Sequence, residues 1–148
     1  MRWLGGCQCG AVRYSVDPEQ IRTLCCCHCR DCQKQSGSAF GMSLILPRRA
    51  FALEQGELAV WSHRSARGSA KHAHFCPLCG GRIFNDAGAA SLLVSVKAGT
   101  LDETADLRPA AHLWTKRAQR WLRLSEALNY EAEPERDEDL DAAFRGDA

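Results

Sequence analysis

Residues 75–81 read Phe75-Cys76-Pro77-Leu78-Cys79-Gly80-Gly81, a C-P-x-C-G turn. Two thiolates spaced this way can share one tetrahedral ion, and the turn lets backbone N–H groups point at the sulfurs. Gly80 suits the left-handed position that closes such a turn. A knuckle of this kind supplies two ligands, so two more must come from elsewhere. Cys7 and Cys9, in a predicted hairpin ending at Gly10, are the natural partners. Joining them to Cys76 and Cys79 clips the N-terminal hairpin to the middle of the chain. Closing so long a loop through a metal contributes several kcal/mol to folding, on the order of what loop-closure entropy allows. Two disulfides, or free buried thiols, are the plainer alternatives. A closed four-thiolate site has no open position for chemistry.

Nine of the 148 residues are cysteine, an odd number that disulfides alone cannot use up. In a reducing compartment, clustered thiols read as metal ligands or reactive groups. The second cluster is Cys25, Cys26, Cys27, Cys29 and Cys32, within which Cys27-His28-Cys29-Arg30-Asp31-Cys32 spells C-x-C-x-x-C. Three thiolates here reach one ion if a strand end runs into a helix start, and the spacing predicts a short helix around 29–35. The N-terminus of that helix would stabilise thiolate. Three protein ligands with a vacant fourth position is the pattern of catalytic zinc, the vacancy taking water or a substrate thiol. His28 could instead close the site, although with both neighbours ligating its side chain should point away. Cys25 and Cys26 are left over, and read as strand residues with one side chain inward and one outward. An accessory thiol that swaps onto the metal is the other reading.

Working outward, alternating apolar and polar residues predict strands over 2–8, 11–16, 21–26, 39–46, 58–62, 70–75, 81–85 and 92–96. Turn signals separate them: glycines at 5–6, 37, 68, 80–81, 88 and 99, and Asp17-Pro18. Short strands with frequent turns make the chain mainly β. Its length suits one domain, a zinc-binding domain over 1–125, followed by an acidic C-terminal extension over 126–148. Residues 131–139 are acidic and poor in apolar side chains, so the extension is expected to be solvated or partly helical rather than core.

Lys plus Arg total 19 and Asp plus Glu 18, a formal net charge of +1. That balance gives no argument for nucleic acid or an anionic membrane. The basic stretches 48–49, 64–71 and 116–123 read as solvated faces. No run approaches the roughly 18 apolar residues that span a bilayer, and the first residues are not a signal peptide. The default expectation is a cytoplasmic protein.

The ordered set of motifs resembles the glutathione-dependent formaldehyde-activating enzyme family. Gly6-Cys7-Gln8-Cys9-Gly10-Ala11-Val12-Arg13-Tyr14 is similar to the family's opening hairpin, residues 27–38 to its central motif and residues 71–81 to its knuckle. Residues 96–102 and His112-Leu113-Trp114 through Trp121 are similar to its closing segments. Together they span about residues 5 to 122. The resemblance implies an Mss4-like fold: a small antiparallel β-sheet domain with short helices, organised around zinc. It implies two zinc ions per chain, a structural one on Cys7, Cys9, Cys76 and Cys79 and a catalytic one on Cys27, Cys29 and Cys32. The implied reaction joins glutathione to formaldehyde to give S-hydroxymethylglutathione, a carbon–sulfur lyase run in reverse, with a small-molecule thiol and an aldehyde as partners. One departure bears on thiol specificity: where the family often has Ser followed by a Pro-Trp pair, Arg117 and Gln119-Arg120-Trp121 stand here.

For such a reaction the anionic ligand set keeps an incoming thiolate nucleophilic, and the developing alkoxide needs a proton. His28 and His112 are the candidates, His112 alternatively making a structural hydrogen bond beside Trp114. Lys34, Lys97 and Lys116 fall in matched segments and could hold the carboxylates of a glutathione-like tripeptide. Trp61, Trp114 and Trp121 read as core or groove walls. Two rivals remain. One is a non-catalytic, zinc-stabilised binding module. The other is a thiol redox protein using Cys25, Cys26 or the C-x-x-C, against which the lack of a βαβ pattern speaks.

Overall fold

A computed structural model describes residues 1–65, 67–124 and 127–145. The strands are β1 (Trp3–Gly6), β2 (Arg13–Val16), β3 (Thr23–Cys27), β4 (Gly41–Pro47), β5 (Phe51–Gln55), β6 (Ala59–Arg64), β7 (Ala70–Phe75), β8 (Arg82–Asp86), β9 (Leu93–Lys97), β10 (Ala111–Leu113) and β11 (Leu128–Asn129). The helices are α1 (Arg30–Ser36) and α2 (Asp137–Arg145). The mainly β class stands, and each of the eight strands read from the sequence has its counterpart. Three were not anticipated: β5, polar in its second half, and β10 and β11, too short to show a period.

The chain forms two compact units. The first comprises Met1–Ile21 and Ile45–Asp106, the second Arg22–Leu44 and the described residues from Leu107 onward. In the first unit β1, β2 and β5 make an antiparallel sheet in that order, and β6 to β9 make an antiparallel meander. Val12, Tyr14, Val16, Leu46, Ile83, Val94 and Val96 are all essentially inaccessible. Phe51 stacks on Tyr14 at 5.3 Å and meets Phe84 at 4.9 Å between ring centroids. Each such side chain contributes about 2 kcal/mol through removal from water. Tyr14 is the keystone: its hydroxyl lies 2.7 Å from Thr100 Oγ1 and its ring passes over Gly5, where an added Cβ would fall 2.4 Å from it.

In the second unit the strand order is β4-β3-β10-β11. β10 runs parallel to both β3 and β11, a departure from the purely antiparallel expectation. The reason is connectivity, because β10 returns to β3 only after a long excursion of the chain. The tail is helical over Asp137–Arg145, and it is not wholly solvated. Leu140 packs into a cluster with Cys25 and Ala111, flanked by Leu113 and Tyr130. Arg22 pairs with the buried carboxylate of Asp141, its Nε donating at 2.8 Å. This packing corrects the expectation for Cys25 and Cys26. Both are buried, because the surface of β3 that the pattern would leave to solvent is covered by α2. Residues 126 and 146–148 of the extension lie outside the described residues.

Candidate metal centres

The turn between β1 and β2 carries Cys7 and Cys9. Cys7 N–H donates to Val12 O and Gly10 N–H donates to Cys7 O, each at 3.1 Å, and Gly10 takes φ 81°. Val12 N–H points back at Cys7 Sγ, 3.2 Å away. The turn between β7 and β8 is closed in the same manner. Cys76 N–H donates to Gly81 O at 2.9 Å and Gly80 N–H to Cys76 O at 2.8 Å, with Gly80 at φ 77°. The two turns meet so that all four sulfurs lie within 4.8 Å of one another. Cys7 Sγ and Cys9 Sγ are 3.5 Å apart, Cys9 Sγ and Cys76 Sγ 3.8 Å. Four Zn–S bonds of about 2.3 Å in a tetrahedron space their sulfurs by about 3.8 Å, so the donor set fits such an ion.

Without a cation these thiols oppose one another. The backbone amides of Cys9 and Gly81 draw the Cys79 thiol down to about 6. The Ala11 amide acts in the same direction on Cys9, yet the neighbouring Cys7 sulfur prevails and Cys9 is pushed up to about 11. A dication would relieve that conflict and allow all four to ionise.

The second centre is built where β3 runs into α1. Cys27 is the last residue of β3, and His28 N–H donates to Leu113 O at 2.9 Å. Cys29 caps α1 with extended backbone, its sulfur accepting Cys32 N–H at 3.3 Å. Gly37, at φ 63°, ends the helix. The sulfurs of Cys27, Cys29 and Cys32 lie within 4.8 Å of one another and all three residues are partly accessible. Hydrogen bonding from Cys27 and then Cys32 brings Cys29 down to about 2, while Cys27 is driven far above its ordinary value. This trio also fits a soft dication. Among the described residues no fourth His, Cys, Asp or Glu joins it. Both clusters can thus hold a metal ion. None of the nine cysteines forms a disulfide, and all nine lie in the described residues.

His28 does not join the trio. Its ring is fully buried against Phe40 at 5.4 Å and His112 at 5.2 Å between centroids, and its Nε2 lies 2.9 Å from His112 Nδ1. Burial lowers both imidazoles, and for His28 the proximity of His112 adds to this, so the pair is held neutral. Of the three lysines, Lys97 is buried in the first unit and Lys116 sits 4.8 Å over the Trp114 ring. Lys34 borders a cavity of about 410 Å³ in the second unit. Trp121, largely exposed, borders it too. Trp61 belongs to neither core nor groove: it is exposed, stacked on His63 at 4.5 Å with Arg82 at 5.7 Å from its ring.

Two features escaped the sequence reading, the anchoring role of Gln33 and the backbone bend at Trp114. Gln33 is buried, and its Nε2 donates to His28 O at 2.7 Å and to Arg117 O at 3.0 Å, fixing α1 to both segments. A glutamine in a polar helix gives no hint of this. Trp114 holds a left-handed backbone, φ 57°, at a cost of about 1–2 kcal/mol for a residue with a Cβ. Its N–H donates to Ala132 O at 2.8 Å, which secures the bend.

A family model described as glutathione-dependent formaldehyde-activating enzyme matches residues 2–117. The solved crystal structure of a Rhodobacter sphaeroides protein is similar at a TM-score of 0.53 and 16% identity, covering 70% of this chain and 91% of that one. That likeness speaks for the fold. No helix among the described residues is long and apolar enough to cross a membrane. The matched segment takes in most of the chain and all seven clustered sulfurs, and on that basis the chain belongs to the glutathione-dependent formaldehyde-activating enzyme family.

Proposed function

We propose that the protein joins a thiol such as glutathione to formaldehyde or a similar aldehyde, a carbon–sulfur lyase-type reaction in its synthetic direction. Cys7, Cys9, Cys76 and Cys79 would hold a structural zinc, and Cys27, Cys29 and Cys32 a catalytic one. The observation that carries the reading is the unequal donor count: four sulfurs in one group, three in the other with no further protein donor among the described residues. A four-sulfur set is complete, whereas a three-sulfur set leaves one position for a substrate.

Zinc there would act as a Lewis acid that keeps an incoming thiol in its thiolate form at neutral pH. Cys29 is oriented by the Cys32 amide, and Gln33 and the His28–His112 pair keep the segment between Cys27 and Cys29 in place. The sulfur forms a bond to the aldehyde carbon, the carbonyl π pair moves onto oxygen, and the proton that left the thiol ends on that oxygen. The result is an S-hydroxymethyl hemithioacetal with nothing else consumed. Family membership supports glutathione and formaldehyde as the pair.

The test combines metal content with chemistry. Zinc per chain is measured on wild type and on Cys29→Ala, and product formation from glutathione and ¹³C-formaldehyde is followed by NMR. Two equivalents falling to one, with product formation lost and the fold kept, is the expected result. One equivalent in both proteins would overturn the reading in favour of a zinc-stabilised module without catalysis.

A further inference from the structure

β6 closes the strand order of the first unit's meander and β11 that of the second unit's sheet. Neither has a further strand on its outer side among the described residues. The two edges carry opposite charge. From Leu58 to Asn85 the chain has no Asp or Glu, and it has Arg64, Arg67, Lys71 and Arg82. β6 pairs with β7 from Ala59 to Arg64 without a register shift, and it contains neither Gly nor Pro. Nothing in the strand therefore bends its open edge away from a further strand. Val60 and Trp61 are both more than half exposed on it. The register puts Trp61 and His63 on one face with Ala73 and Lys71, and Arg82 lies 5.7 Å from the indole. An edge strand with exposed apolar side chains is a template for pairing.

The other edge is acidic. After β11 the backbone continues beside residues 112–114: Tyr130 N–H donates to His112 O at 2.9 Å, and Trp114 N–H donates to Ala132 O at 2.8 Å. Exposure alternates along this stretch. Glu131, Glu133 and Glu135 are exposed, whereas Ala132 is half-buried and Pro134 is buried. Three carboxylates thus face solvent at the spacing of alternate strand residues. The single cation between residues 126 and 141, Arg136, is paired with Asp139 at 3.1 Å.

We propose that copies of this chain associate head to tail, with the acidic edge at 128–135 of one copy seated along β6 of another. Charge complementarity names the occupant, because each copy exposes one cationic edge and one acidic edge. Pairing β6 with itself would bring two cationic hairpins together, which like-charge repulsion opposes. The contact joins two different surfaces and is independent of the thiol–aldehyde reading. A strand pair of this length makes a small interface, so the association is weak and salt-sensitive.

The test is sedimentation equilibrium of the full chain at high protein concentration, at low and at high salt. A mass above the monomer's at low salt, falling toward the monomer's at high salt, is the expected result. Two exposed charge reversals probe the two edges: Arg64→Glu with Arg67→Glu, and Glu131→Lys with Glu135→Lys. Each double variant alone should associate at least about ten-fold more weakly than wild type. An equimolar mixture of the two should recover association, since one brings an intact acidic edge and the other an intact cationic one. Recovery also shows that both variants are folded. The Trp61 emission should shift to the blue as the mass rises. A wild type that stays monomeric at low salt, variants that associate as wild type does, or a mixture that stays monomeric would each overturn the proposal.

Discussion

The Nε2 of His28 lies 2.9 Å from the Nδ1 of His112, with both rings buried, one supplied by the residue between Cys27 and Cys29 and the other by β10. One nitrogen must donate and the other accept, so at least one ring is neutral, and burial favours the neutral form of each. Two protonated rings at this distance would repel.

That relationship gives a pH dependence. Each imidazole is held below its ordinary 6.5 by burial, so the unfolded chain takes up protons first as pH falls. The pair's contribution is present in full above about 6.5 and declines as pH falls through that value toward the folded-state pKa. Melting temperatures of wild type and His112→Asn should therefore differ most at pH 7.5 and converge toward pH 5.5. A constant gap across that window would mean that the pair is not held neutral.

The two sulfur groups should respond differently to loss of a ligand. Cys76→Ser removes a fully buried donor from the clasp between two turns that are far apart in sequence, and should lower the melting temperature by well over 10 °C, on the order of several kcal/mol. Cys29→Ala should lose one metal equivalent with a much smaller change in stability. Titration with a chelator is expected to strip the three-sulfur group first. Simultaneous release of both ions would contradict this order.

Glycines 5 and 80 separate space from backbone conformation. At Gly5 an added Cβ would lie 2.4 Å from the Tyr14 ring and 2.7 Å from Thr100 O, so Gly5→Ala should cost about 2–3 kcal/mol by overpacking. At Gly80 a Cβ meets nothing within 4 Å, but φ is 77°, so Gly80→Ala should cost about 1 kcal/mol from backbone strain. Denaturant unfolding of the two variants side by side reads the difference.

The acidic tail contributes to folding through one face. Leu140→Ala should destabilise the protein by about 3 kcal/mol, and truncation before Asp137 should expose Cys25 to thiol reagents. Unchanged stability and an unreactive Cys25 would show the extension to be dispensable.

The cysteine spacing carried most of what could be read beforehand. C-x-C, C-x-C-x-x-C and C-P-x-C-G are local patterns, and each reports a tight turn or a strand-to-helix junction that the next few residues determine. The strands over 70–75 and 92–96 were legible for the same reason, since alternation along a strand is a local property. Tertiary structure decided the rest. It brought Cys9 within 3.8 Å of Cys76, a pairing that the sequence suggested by leaving the knuckle two ligands short and that the family resemblance implied. It buried both Cys25 and Cys26, which lie on opposite faces of β3, with Leu140 of α2 packed against Cys25, and no pattern within 21–26 encodes that cover. It also paired His28 with His112 and placed Lys34, but neither Lys97 nor Lys116, beside the cavity. Contacts between residues distant in the chain depend on how sheets and helices close on one another. Sequence periodicity specifies which face an element buries, and only the folded chain specifies what that face is buried against.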